Sequence, residues 1–458
     1  MFKTIKRVLA IALVFAMALT VIGCKKEPTN VDANGDNKTD GGIDKVVLED
    51  LAIDSDAVVA SMPAELKNTK LVFLNWYNPK ENLEKPVIAE FEKKTGIDIV
   101  CRVTDYGTYI QEVAKMLATN EQLDVMRMKQ PDLAALKLLQ PLSVTEYDFS
   151  DKAWDKYTMG LYSVGEKQYG AALRYTPYFL PTMIFYNKDV ITDMGFEDPY
   201  ELWKQGKWTW SKLREMCNTW VTENGAEYTG CSIWNGGTVS TAGAELMKLT
   251  DDGITYDLDL TNQLGIDCYK FMEEGKQMGL FTNVNDGFDS AKPKLLFAMH
   301  DASTVQISSE YFNKLKLRKQ LMTVAMPKWD GTEGFDDYYV PMMENIAFGI
   351  PKTAKNPKAV PYFLAYVCNM ANYNTGVGEG GFFFNEQTKE AYMELMSFEK
   401  RNFKITGTIA SYDGTIKSFD WSIFMGVDPT QINSWLQERE YIIRASMELY
   451  NQDRLALK

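Results

Sequence analysis

The sequence predicts an α/β protein built in two parts, and three observations carry that prediction. Short apolar runs of strand length alternate with stretches of helical periodicity. The helical stretches bring their own start and stop residues, and a second region of the same kind begins after Thr182–Asp189. Alternating strands and helices give a parallel sheet with helices packed on its faces.

The elements are taken in chain order. Leu71 to Leu74 is a buried-strand run, ended by the polar and aromatic stretch from Asn75 to Pro79. Leu83, Val87, Ile88 and Phe91 then recur at helical spacing, with Pro86 early in the helix and Gly96 as its stop. Ile97, Ile99, Cys101 and Val103 alternate with polar residues, which is the period of a strand. Thr108-Tyr109-Ile110-Gln111 reads as a capping box that opens a helix with Ile110, Val113, Ala114 and Leu117 on one face. Leu123 to Met128 reads as a further strand and Asp132 to Leu139 as a helix. In the second region Thr209 is a helix cap, with Trp208 and Leu213 placed as a hydrophobic staple, so both tryptophans around it read as structural. Near the end, Ile346 to Pro351 is a strand and Pro357 to Met370 a helix.

The N-terminus is read separately. Lys3, Lys6 and Arg7 precede an apolar run from Val8 to Ile22 that is shorter than the ~20 residues of a spanning helix, the pattern of an export signal. Gly23 before Cys24, with Val21 three residues upstream of the cysteine, resembles a bacterial lipobox, in which the cysteine thiol is lipidated. Residues 1–23 are therefore expected to be a signal peptide. Residues 24–66 are expected to be a lipidated cysteine and flexible linker, since Lys25 to Lys45 holds apolar side chains only at Val31, Ala33 and Ile43. The calcium-loop-like start at Asp32 has Ile43 where the twelfth-position glutamate belongs and reads as linker.

Charge and cysteine usage narrow the partners. Removal of the signal and its three basic side chains takes the net charge from −13 to −16. Such a chain repels phosphate backbones and anionic headgroups, so no nucleic acid is expected, and the membrane is met only through the lipid anchor. Besides Cys24 there are Cys101, Cys217, Cys231, Cys268 and Cys368, with no C-x-x-C spacing. They read as buried thiols, with a Cys217–Cys231 pairing left open. Gly376, Gly378 and Gly381 form a literal G-x-G-x-x-G. Phe382-Phe383-Phe384 follows it instead of a helix, so it reads as a turn and not a dinucleotide site. The only histidine, His300, rules out a histidine-rich metal site by count, and no cofactor is expected.

Aromatic residues make up 12% of the chain. Trp76, Tyr77, Trp234, Trp329 and Trp421 fall at strand ends or in loops, where indole faces can stack on the apolar faces of a pyranose while neighbouring polar side chains bond its hydroxyls.

Six segments, in this order and spacing, resemble the family 1 extracellular solute-binding proteins, the maltose-binding-protein-like receptors of ABC importers. They are FEKKTGIDI from Phe91, LATNEQLDVM from Leu117, IFYNKDVITDMGFEDP from Ile184, GKWTWSKL from Gly206, LFAMHDAS from Leu296 and ENIAFGIPKTAKNPKAVPYFLAYV from Glu344. The resemblance implies a two-lobed periplasmic-binding-protein-like fold of type II, with a ligand cleft between lobes joined by crossover strands. Lobe I would combine 67–180 with 344–395, and lobe II 181–343 with 396–458. A crossover is expected near Thr182 to Tyr186.

By projection, Trp76 and Tyr77 follow the first strand, Asp105 the second, and Met128 to Gln130 the third. Arg174 and Tyr175 precede the crossover, Trp234, His300 and Asp301 belong to lobe II, and Glu344 and Asn345 sit at the return. The same resemblance implies a monomeric, exported, lipid-anchored receptor on the outer face of the cell membrane. It would bind a carbohydrate, an oligosaccharide by preference, by lobe closure, pass it to permease subunits and perform no chemistry. The competing readings are a receptor for another small polar solute and an exported glycoside hydrolase, which needs two carboxylates about 5 to 10 Å apart.

Overall fold

Each strand run of the first region folds where its periodicity places it. The computed structural model describes residues 46–128, 131, 133–233, 237–283, 294–305, 320–331, 335, 337–378, 381–403 and 426–458. In it β1 (Lys70–Asn75) lies between β2 (Asp98–Val103) and β3 (Val125–Met128), both parallel to it. Helix α1 (Lys85–Thr95) connects β1 to β2, with Pro86 in its first turn, where no amide proton is missed, and Gly96 closing it at φ +72°. A side chain at that glycine would also collide with the side chain of Asn68. Helix α2 (Tyr109–Ala118) returns the chain to β3.

Two local expectations change here. The Thr108 side chain caps nothing. Asp105 Oδ1 instead accepts the amides of Gly107 and Thr108 in the turn that precedes the helix. The expected helix 132–139 shrinks to one turn, Leu133–Leu136, since Leu139–Gln140 (β4) is drawn into the sheet.

The first sheet runs β2-β1-β3-β12-β4, where β12 (Ala347–Pro351) arrives from the far end of the chain and pairs antiparallel with β3. A short strand β5 (Gly170–Ala171) also pairs with β12. The second sheet is centred on β6 (Phe179–Asn187), nine residues all buried. On one side it pairs with β9 (Leu295–Asp301), which continues to β7 (Thr229–Ser232) and β8 (Phe281–Thr282). On the other side β10 (Leu321–Ala325) pairs with its C-terminal half, and β11 (Val340–Asn345) with its first residues. β13 (Arg401–Phe403) extends β11. Each sheet carries its own core. Phe73, Ile88, Phe91, Phe348 and Phe363 pack in the first, and Phe185, Trp203, Trp208, Trp210 and Phe297 in the second.

Helix α3 (Trp210–Asn224) starts at Thr209, whose side chain accepts the Lys212 amide at 3.2 Å. Trp208 and Leu213 are both fully buried in the second core. Cys217 and Cys231 are buried and unpaired, as is Cys268. The turn at Gly376–Gly381 is closed by the Phe382 and Phe383 amides on the Gly376 carbonyl, with Gly378 at φ +84°. Among the described residues no helix is long and apolar enough to cross a membrane.

Lobe boundaries depart from the expected spans in three places. Residues 46–66 are not linker. Leu48 and Leu51 enter the second core, Val59 and Met62 the first, and Ser55–Ser61 forms a helix capped by Asp54. The span 344–395 divides: α4 (Val360–Val367) packs on the first lobe, whereas α5 (Glu386–Ser397) packs on β10 and β6 of the second. The passage between sheets is not at Thr182–Tyr186, which is held by β9 and β10, but ahead of Phe179 and at Ile346. Sequence patterning could not separate these, because a strand that continues through a crossover looks uniform.

Across the junction lies a buried ion pair. Arg401 Nη1 on β13 donates to Asp155 Oδ2 at 2.7 Å, with side chains 1% and 6% exposed. Removing one partner strands the other charge in a dry site. Asp155→Ala should therefore cost about 3–5 kcal/mol in urea melts, while joint replacement with Arg401→Met should cost distinctly less; equal losses would show that the pair is not energetically coupled.

Candidate functional site

At the carboxyl ends of β1 and β3 the chain turns into a cavity of about 310 Å³. That is the edge at which ligands of α/β sheets bind. β1 ends in buried Asn75, whose Oδ1 accepts the Trp76 amide at 2.8 Å and so fixes the turn that projects Trp76 and Tyr77. β3 alternates. Met126 and Met128 face the first core, and Arg127, between them, faces the cavity.

Arg127 organises the wall. Its guanidinium carbon stands 4.2 Å from the ring centre of Trp76, 4.9 Å from that of Tyr178 and 5.3 Å from that of Tyr77. Its Nη1 donates to the Tyr77 hydroxyl at 2.9 Å. Tyr77 and Tyr178 in turn both donate to Glu84 Oε1, the latter at 3.0 Å. Burial opposes the guanidinium charge, but Tyr77, Tyr178, Glu344 and Glu84 more than offset it, and its pKa moves up. Burial also pushes the Tyr77 hydroxyl well above its ordinary range, with Arg127 opposing and Glu84 adding, so it stays a neutral donor.

The opposite rim comes from the crossover and the second sheet. Glu344, on β11, accepts the Tyr106 hydroxyl at 2.5 Å. Tyr106 stands edge-on to Trp76, with ring centres 5.4 Å apart. Asp301, at the end of β9, and Ser303 complete the lining, and Asp301 Oδ1 accepts the Ser303 amide at 2.8 Å. The described residues of the site thus offer aromatic faces, three carboxylates and one guanidinium, a set suited to a polar ligand with many hydroxyls and an apolar face. Among the described residues no cluster of histidine, cysteine or carboxylate could hold a metal ion.

Of the residues expected from sequence, the cavity gathers Trp76, Tyr77, Asp301 and Glu344. The backbone of Asn345 lies beside Glu344, paired with Phe179. Others are placed elsewhere. Asp105 closes the turn before α2, and Met128 is buried in the first core. Arg174 is buried away from the cavity, with Nη2 on the Phe398 carbonyl at 2.5 Å; burial and then Arg401 pull its pKa down to about 10. Tyr175 is half-buried against the second core, and its carbonyl accepts the Met370 amide. Trp329 stands edge-on to Phe271 in that same core.

His300 pairs with Met183 across the sheet, edge-on to Phe185. Burial lowers its pKa, with Asp301 opposing, so it is a neutral sheet residue next to the rim. Gln130, Trp234 and Trp421 lie outside the described residues.

Sequence reading missed Arg127, Glu84, Tyr106 and Tyr178. One signal was present, namely an arginine inside the otherwise apolar run from Val125 to Met128. A charge at an inner strand needs partners, and those partners come from distant segments.

A family model described as bacterial extracellular solute-binding protein matches residues 77–372. None of the curated proteins matches the chain. Solved structures share its fold. The sugar-binding protein MalE from Xanthomonas citri is 13% identical, with 84% of this chain and 98% of that one covered, at a TM-score of 0.58. A Staphylococcus aureus extracellular solute-binding protein in complex with maltose is 13% identical, with 83% and 98% covered, at 0.56. The galacto-N-biose-/lacto-N-biose I-binding protein of Bifidobacterium longum is 14% identical, with 81% and 97% covered, at 0.53.

Because three rings surround Arg127, its planar group matters beyond its charge. Arg127→Lys should cost about 1–3 kcal/mol of stability by urea melts and shift the tryptophan emission of the native state. A variant with wild-type stability and emission would show that the stack carries no energy.

Proposed function

We propose, from the premise that this chain belongs to the family of bacterial extracellular solute-binding proteins, that it is the sugar-binding receptor of an ABC importer. It is exported, anchored outside the membrane through Cys24, closes its two lobes over a carbohydrate and delivers it to the permease. The observation that carries the sugar reading is the cavity wall in which Trp76 stands beside Arg127, Glu84, Glu344 and Asp301. Indole and tyrosine rings meet the apolar faces of a pyranose, and the carboxylates and guanidinium meet its hydroxyls. The structural neighbours support it, since they are described as sugar-binding or hold maltose or lacto-N-biose. A lobe II aromatic, Trp234, is proposed to meet the ligand from the other side, so that contacts made only when both lobes touch the sugar favour the closed form. Glycoside hydrolysis is the competing activity for a cavity with several carboxylates.

Calorimetry against a panel of mono- and oligosaccharides tests the reading, with scattering on the same samples. A cognate sugar should bind without turnover and reduce the radius of gyration. Trp76→Ala should weaken that binding by about 1.5–4 kcal/mol while the variant stays folded. Steady release of shorter sugars, or no sugar bound across the panel, would overturn it.

Cys24→Ser should release the protein from the membrane fraction or block its processing, because the acyl chains and not the body hold it there. A serine variant that stays membrane-bound at the processed size would refute the anchor.

A further inference from the structure

Among the described residues that line the cavity, carboxylates outnumber the one guanidinium. Glu84 is 4% exposed and stands at the head of α1. The two tyrosine hydroxyls that reach it both end on Oε1, and among the described residues Oε2 accepts no hydrogen bond. Arg127, 5% exposed, is the guanidinium that faces it, and among the described residues Arg127 Nε has no partner. Glu344 and Asp301 add carboxylates to the same lining. The tyrosines add no compensating charge, because burial first, and then Glu344 for Tyr106, holds their hydroxyls protonated.

Arg127 is not available as an anion receptor. It is flanked by three rings and tied to the Tyr77 hydroxyl, and turning it toward an incoming anion would leave Glu84 buried without its counter-charge. A sugar acid would also bring a like charge against Glu84 in a wall where water cannot screen it. A hydroxyl or an ammonium group meets the opposite situation, since among the described residues no donor reaches Oε2.

We infer that the cavity is a charge filter, with Glu84 the discriminating residue, which takes neutral or amino-bearing sugars and rejects sugar acids. The inference rests on the sugar-receptor reading and names its substrate class.

The test uses matched triads of neutral sugar, amino sugar and uronic acid in the gluco, galacto and manno series, as monosaccharides and as disaccharides, titrated calorimetrically into the intact chain. In any series that binds, the uronic acid should be at least about tenfold weaker than its neutral partner. Glu84→Gln, which keeps an oxygen for both tyrosines, should narrow that gap to about threefold or less. In the unchanged protein, the affinity of the amino sugar should fall as pH is raised through the amine's own pKa while that of the neutral sugar stays level. This second readout holds if the variant fails to fold. A uronic acid that binds as tightly as its neutral partner, or an amino sugar with no pH dependence, overturns the filter and leaves the receptor reading standing. No binding by any triad overturns the filter, and no binding across the wider panel of mono- and oligosaccharides overturns the receptor reading as well.

Discussion

The architecture depends on one short ladder, where the strand leaving the first lobe lies against the strand returning to it. Phe179 pairs with Asn345, Leu180 with Glu344 and Pro181 with Met342. A proline inside a central strand lacks the amide proton that the ladder needs, and the register shift between Met342 and Glu344 is the irregularity that accommodates it. Directly beyond, a single residue, Ile346, separates β11 in the second sheet from β12 in the first. Both lobes are therefore fixed to the same few residues.

That constraint also places the site. Glu344 stands at the last turn of the returning strand, between the sheets, and reaches Tyr106 of the first lobe. β12 is hydrogen-bonded to β3, so the same return that brings in Glu344 sets the neighbour of the strand carrying Arg127. One crossover thus aligns a carboxylate from the junction with a guanidinium from the first sheet, and β9, paired to β6, brings Asp301 to the opposite rim. Buried charge is costly unless partnered. Here the partners come from four separate segments, which makes the wall rigid and specific in shape.

Two features brace the junction from behind. The segment from Val46 onward starts on the Ser397 carbonyl of the second lobe, puts Leu48 and Leu51 into that core, and then crosses to the first lobe, where Asn369 holds the Ile53 carbonyl and Ser55. The Asp155–Arg401 pair ties α-helical lobe I sequence to β13 beside the returning strand. Arg401 also lies over the Phe179 ring at 4.7 Å, so the ion pair and the ladder share a residue environment.

The sequence by itself determined the local elements, because these are governed by periodicity and end signals within a dozen residues. The strand at Leu71–Leu74, the helix from Pro86 to its glycine stop, the Thr209 cap and the aromatic turn at Trp76 and Tyr77 are all set by neighbours in the chain. Segments in family order added Asp301 and Glu344 to the same cavity. Tertiary structure alone decided the rest. Arg127 reads as one more residue of a strand until Trp76, Tyr77, Tyr178 and Glu84 surround it, and Arg174 reads as a site cation until it is found on the Phe398 carbonyl. The physical reason is that a charged side chain in an inner strand is defined by which distant groups compensate it. Those groups are chosen by the order of strands in the sheet, which no local pattern encodes.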